Sequence, residues 1–321
     1  QFHKKETQYT LRLIPLGGYC MMLSEDDEEN ENDENSFEKK SIWARMAVVL
    51  AGPAMNFVIA FLFSMVIIHF CGSDPAIIGA VYNKDNIEKY QIENAEEYFN
   101  GVYPAEEAGI SDGDQVLKIE GSTVKNFREL QIYLQIYGDG SPIDLTLEKE
   151  DGTVYDTTVH PAKTPDGYKI GIMSVGYQLP KNFGELCKYS AYETRYWVKA
   201  TFLSLKLIVT RQVSSDEVSG PVGVAKNMND TFNEAAKSSV LDLFLNWMNY
   251  IVLLSANLGV MNLLPIPGLD GGRFIFLLIE AVTRKKVPKD KENIVTLIGF
   301  VLVMLLMVVI LFNDIKNVFF H

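Results

Sequence analysis

A chain of 321 residues, 48% apolar and with a formal charge of −12, is long enough for about two domains and too acidic to favour nucleic acid as a partner. Its three cysteines, Cys20, Cys71 and Cys187, stand far apart with no CxxC pair, which argues against a zinc ribbon or a disulfide scaffold. The first residue is Gln1 rather than Met, and the expectation is that the chain has lost an N-terminal segment.

The tract SEDDEENENDENS, Ser24 to Ser36, is a run of like charge and reads as a solvated, disordered loop. Met46 to Ile68 carries no charge and is long enough to cross a hydrocarbon core of roughly 30 Å. Uncharged runs recur at Leu243 to Leu269 and Ile294 to Phe312, and three in one chain favour membrane spans over buried core helices. None is N-terminal or followed by a cleavage pattern, so a secretory signal is a poor alternative. Lys39, Lys40 and Arg45 precede the first run, and Arg284, Lys285, Lys286, Lys289 and Lys291 separate the second from the third. The positive-inside rule puts both clusters on the cytoplasmic side. The segment between the first two spans, about Cys71 to Leu241, is then extracytoplasmic.

That outer segment contains a soluble domain. Pro104 to Gly121 reads as a short helix, a turn at Asp112-Gly113-Asp114 and a half-buried strand, VLKIEG. Leu130, Tyr133, Leu134 and Tyr137 have helical spacing, and the strand candidates IDLTLEKE and TVYDTTVH are joined by the hairpin dipeptide Asp151-Gly152. The order resembles a PDZ domain of the circularly permuted bacterial type. Such domains bind extended peptides along an open sheet edge, expected here near Ala76 to Val81 by analogy. Tyr82 to Tyr103 looks like an insertion, and use of the domain as a spacer or steric gate stays open. From Glu185 to Ser214, Lys188, Arg195, Lys199 and Lys206 share one helical face. Either this helix lies on the membrane surface, or it packs on the protein with a solvated basic face.

The stretch NLLPIPGLDGG, Asn262 to Gly272, puts a carboxylate and broken backbone at the end of an apolar run. Pro265 and Pro267 interrupt the helix, and Gly268, Gly271 and Gly272 permit a tight turn. Irregular backbone at membrane depth is tolerated only where protein shields it or a wet cavity meets it, and an ionisable group there is a functional hypothesis. Asp270 could cap a following helix, Gly271 to Ala281, could serve ion or proton transport, or could bind a metal.

The same stretch resembles the NxxPxPxLDG motif of the site-2 protease family, intramembrane zinc metallopeptidases. YTLRLIPLGGY (Tyr9 to Tyr19), AGPAMNF (Ala51 to Phe57), SGPVGVAK (Ser219 to Lys226) and FNDIKN (Phe312 to Asn317) resemble other segments of its bacterial branch, in family order. The resemblance implies Zn2+ as cofactor, Asp270 as a zinc ligand and membrane-spanning helices as substrates, with anti-sigma factors or remnant signal peptides as typical targets. It also implies substrate contacts from Asn262, Pro265 and Pro267, and from Leu11 and Leu13 in a membrane-associated β-hairpin. The family's first span carries HExxH, whose histidines share a helical face and whose glutamate is the general base. Here only His3, His69, His160 and His321 occur, with no pair four apart, so no catalytic residue is assigned and the chain alone is expected to be inactive.

The expected architecture is a multi-pass α-helical membrane protein with an inserted α+β PDZ domain, in a bacterial inner membrane. Hairpin and acidic loop occupy 1–42, a span 43–70, the PDZ domain 72–182, and an amphipathic helix with the GPVG loop 183–241. A span with a broken helix and the LDG motif follows at 242–283, then a basic loop at 284–291, a span at 292–313 and a tail at 314–321. The rival reading is a catalytically inactive PDZ-bearing membrane adaptor. A transporter-like protein fits less well with three spans and a single PDZ domain.

Overall fold

A computed structural model describes residues 2–4, 7–9, 36–84, 99, 101–210 and 220–320. Residues 24–35 of the acidic tract, Leu11 and Leu13 lie outside the described residues. In chain order, β1 (Phe2–Lys4) and β2 (Thr7–Tyr9) form a hairpin, followed by α1 (Ile42–Cys71) and β3 (Ile78–Val81). Next come α2 (Pro104–Glu107), β4 (Gln115–Ile119), β5 (Ser122–Thr123), α3 (Phe127–Ile136), β6 (Ile143–Glu148) and β7 (Val154–Val159). Then follow β8 (Ala162–Thr164), β9 (Gly167–Lys169), β10 (Ile172–Ser174) and α4 (Phe183–Val209). The chain closes with α5 (Pro221–Ser238), α6 (Val240–Leu263), α7 (Asp270–Thr283) and α8 (Lys289–Phe320).

Three of these helices, α1, α6 and the Asp290–Asn313 part of α8, are long and apolar enough to cross a membrane. Ser41 starts α1 by accepting a hydrogen bond from the Ala44 N–H. Small residues set the packing between α1 and α6: Ala60, Val252 and Ala256 are buried there, with Trp197 of α4 against them. At Gly259 the ring of Phe57 comes so near that an added Cβ would lie 2.7 Å from it.

The α+β domain leaves and rejoins the helices at one point. Ser73 and Gln178 exchange both backbone hydrogen bonds, at 2.9 and 2.8 Å, so residues 74–177 form a closed insertion. Its sheet has the order β5-β4-β6-β7, all antiparallel. Alternation buries Ile143, Leu145 and Leu147 on one face of β6, against Val116, Ile119 and Leu130. Asp151-Gly152 makes the β6–β7 turn, with Gly152 at φ +84° and the Asp151 side chain accepting from the Thr153 N–H.

The proposed peptide edge at Ala76 to Val81 is not open. β3 pairs with β10 on one side, while on the other Ile78 exchanges hydrogen bonds with Asp114 and Gly113, and Val116 donates to Ala76. The free edge is instead that of β10: among the described residues no strand pairs with its far side. A cavity of about 770 Å³ lies between residues 170–172 and α3, lined by Phe127, Gln131 and Leu134.

The middle of the basic face of α4 packs on the protein, while Lys188 and Lys206 toward its ends are exposed. Arg195 donates to both carboxylate oxygens of Glu129 at 2.8 and 2.9 Å, and Lys199 donates to the Thr123 carbonyl at 2.6 Å. Arg128 of α3 pairs with Glu193 at 2.5 Å and stacks its guanidinium on Tyr196, 4.2 Å from the ring centroid. The partners lie more than sixty residues apart in sequence. From one helix alone the cations therefore resemble a solvated stripe. At its other flank α4 is tied to α6 through Thr201, whose hydroxyl donates to the Asn257 side chain. Burial pushes the Glu193 carboxyl up, against the opposing pull of Arg128. Asp74 is also raised by burial, with Ser174 and Arg128 opposing.

Candidate functional site

α6 ends at Leu263 because Pro265 and Pro267 supply no backbone donors. Residues 264–269 turn through local bonds, Ile266 N–H to the Leu264 carbonyl at 2.7 Å and Leu269 N–H to Ile266 at 3.1 Å, with Gly268 at φ +96°. Helix α7 then folds back so tightly that a Cβ on Gly271 would lie 2.2 Å from the Leu264 carbonyl oxygen, and one on Gly272 2.4 Å from that of Ile266. The turn is braced from behind by α8, where a Cβ on Gly299 would lie 2.1 Å from the Pro267 carbonyl. Two such close approaches explain LDGG better than conformational freedom, since neither Gly271 nor Gly272 has positive φ.

Asp270 is the first residue of α7, half-buried. The N-cap position is Leu269, one residue before Asp270, which instead occupies the first turn of the helix. At the first position the carboxylate meets the positive end of the helix dipole. It is directed at α1: a Cβ on Gly52 would touch its Oδ2 at 3.4 Å. Gly52 is exposed, and the next residue, Pro53, gives no N–H to the carbonyl of Val49, so the helix ladder loses a rung beside the carboxylate.

Of the other sequence-derived residues, Asn262 is half-buried in the last turn of α6, Pro265 is exposed and Pro267 is half-buried against α8. The break thus brings Asn262, Pro265, Pro267 and Asp270 into one turn. The site neighbours that sequence reading missed are Gly52, inside the AGPAMNF segment, and Gly299, a lone glycine in an apolar helix. The latter carried a signal, since glycine in a helix interior costs about 1 kcal/mol and calls for a packing reason.

The oxygen donors of Asp270 suit one position of a zinc site, but a catalytic zinc takes three protein donors. Among the described residues no group of three His, Cys, Asp or Glu comes together. His69 is exposed in the last turn of α1, roughly 25 Å along the helix from Gly52 at 1.5 Å per residue, and His160 is exposed in the α+β domain. These residues do not by themselves hold zinc.

The sequence matches the family model described as Peptidase family M50 over residues 1–306. The chain belongs to peptidase family M50, the site-2 protease family. Among its M50 relatives, a Clostridium acetobutylicum protein with a zinc metalloprotease name is 35% identical over 97% of this chain and 83% of its own length. Zinc metalloprotease RasP of Geobacillus kaustophilus is 30% identical over 99% of this chain and 88% of its own length. Regulator of sigma-W protease RasP of Bacillus subtilis is 31% identical over 88% of this chain and 61% of its own length.

Within this M50 chain the brace at Gly299 is a structural test of the site. Gly299→Val forces a side chain into the Pro267 backbone and is expected to cost about 1–3 kcal/mol. The measurement is thermal unfolding in detergent against Val301→Ala, which trims an exposed residue on α8.

Proposed function

We propose that this chain is the membrane-embedded carboxylate half of an intramembrane zinc metalloprotease that cuts membrane-spanning segments. The observation that carries the reading is the Asp270 carboxylate, set at a helix break and directed at Gly52 of the long apolar helix α1. Membership of peptidase family M50 and the zinc metalloprotease names of the relatives support the metal. Asp270 supplies one anionic donor, and among the described residues no further His, Cys, Asp or Glu pair joins it to complete a metal site. When bound, zinc supplies a water of lowered pKa and polarises a carbonyl.

The chain's own residues bind and orient. A transmembrane helix has its backbone paired, so a cut requires local unwinding, and a polar turn shielded by protein can satisfy the freed groups. Asn262 donates to and accepts from that backbone, and Pro265 and Pro267 keep the turn from closing into a helix. In this reading Leu11 and Leu13 offer strand pairing to the unwound segment. The basic clusters at Lys39–Arg45 and Arg284–Lys291 lie in the cytoplasm of a bacterial cell, and the α+β domain lies outside. We read that domain as PDZ-like on its element order and on the groove beside β10, where an extended peptide would add a strand. Held to α4 and thereby to α6, it admits or rejects candidate substrates, of the kind the sigma-W regulator name suggests.

The test joins this chain to a His-Glu-x-x-His span and supplies a reporter protein with one transmembrane helix. Product masses that place the cut inside the apolar helix support the reading. Cuts confined to the reporter's loops, or no cut at all, refute it and leave the adaptor role, for which the four scattered histidines speak.

A further inference from the structure

A second polar site lies at the other end of the α1–α7 pair. A cavity of about 370 Å³ opens where α1 begins, α7 ends and α8 begins. Its apolar lining is Phe37, Phe276, Leu277 and Val287, of which Phe37 and Leu277 pack in one cluster with Met46 and Val49 behind them. Its rim carries Lys39, Arg45, Arg273 and Lys286 against the carboxylates of Glu280 and Glu292, which leaves the lining net positive.

Two of the cations, Arg45 and Arg273, are held in place. Arg45 is 7% exposed and fixed by a 2.5 Å ion pair with Glu280. That pair uses only a terminal nitrogen. The Arg45 Nε–H is buried and donates to no described residue. A buried, charged donor without an acceptor is costly, of a kind that native structures satisfy with a water, ion or ligand. Arg273 lies 5.7 Å from the centroid of the Phe37 ring, which orients its guanidinium along the rim. The same two helices carry exposed apolar side chains at this level, Trp43 at 71% and Val282 at 78%, each two residues from a lining residue. The cavity therefore sits at a membrane boundary, where aromatic anchors and basic pockets meet lipid headgroups.

We propose that this cavity binds the phosphate of an anionic phospholipid. The phosphate oxygens accept from the Arg45 guanidinium and the other rim cations, while the acyl chains leave past Phe276 and Val287 toward the level of Trp43. An apolar floor under a cationic rim matches an amphiphile better than a free anion, which gains nothing from Phe37 or Leu277. Bound lipid would tie the start of α1 to the end of α7, the two helices that bring Gly52 and Asp270 together.

The experiment uses the purified chain in detergent, titrated with dioctanoyl phosphatidylglycerol and followed by native mass spectrometry. Phosphatidylglycerol adducts should persist where dioctanoyl phosphatidylcholine adducts do not. Lys286→Gln, an exposed residue, should weaken binding roughly 5-fold, and Arg273→Gln with Lys286→Gln roughly 25-fold, from about 1 kcal/mol per cation. Lys237→Gln, on α5 and outside the cavity lining, should change nothing. Equal retention of the two lipids, or unchanged binding in the double variant, overturns the site. Binding of inorganic phosphate without phosphatidylglycerol binding overturns the lipid as its source.

Discussion

Asp270→Asn is expected to abolish cleavage within the membrane when this chain is joined to the rest of a zinc site. The amide keeps the size of the side chain, and the α7 N-cap is Leu269 rather than Asp270. What it removes is the negative charge aimed at α1 beside Gly52. A metal contributes several kcal/mol to hydrolysis, at 1.36 kcal/mol per factor of ten, so a loss of at least roughly 1,000-fold in kcat/KM is expected. The readout is product from a single-span reporter, with circular dichroism to confirm that the helices persist. Asn262→Ala should act differently, raising KM more than it lowers kcat, because its role is to hold unwound backbone rather than metal.

The second large effect is at the joint between the α+β domain and the spans. Glu129 is almost wholly buried, 1% exposed in its side chain, and Arg195 is its main counter-charge. Arg195→Met leaves that carboxylate with the Lys125 N–H at 2.9 Å and the ammonium of Lys199 at 3.7 Å. Breaking a buried pair from one side costs about 3–5 kcal/mol. Hydrogen exchange should speed up in α3 and in the α4 segment facing it, and stay slow in α1 and α6. Arg195→Met with Glu129→Gln should recover most of the loss, since no buried charge is then left alone. Unchanged exchange in the single variant would mean that the joint does not hold the domain. The same joint carries a pH dependence. The folded values of Glu193 and Asp74 lie above their ordinary ones, so the folded joint binds these protons more tightly than the unfolded chain. Their contribution is fully present in acid and is lost as pH rises through the raised values.

The sequence carried local features well. Uncharged runs mark the membrane-length helices because hydrocarbon tolerates nothing else over that length, and Asp151-Gly152 marks its hairpin because glycine accepts positive φ without strain. The break at 264–269 was legible for the same reason, two prolines in a run that should otherwise stay helical. Pairings over long distance were not legible. Nothing within α4 says that Arg195 meets Glu129, and the strand taken for an open edge near Ala76 to Val81 is closed by β10, about ninety residues later. Two helices share one start signal: Asn126-Phe127-Arg128-Glu129 and Asn182-Phe183-Gly184-Glu185 each cap the helix with Asn and turn the Glu back to the residue before the cap. Yet only Glu129 is buried, because only it faces α4. The candidate site divides in the same way: Asp270 and its turn are written in one short stretch, whereas Gly52 and Gly299 come from elsewhere in the chain.

The most direct measurement is zinc K-edge absorption on the metal-loaded enzyme, with and without Asp270→Ala. The account predicts that the variant loses one oxygen donor at about 2.0–2.2 Å and holds less zinc. An unchanged set of donors and an unchanged zinc content in Asp270→Ala would contradict it.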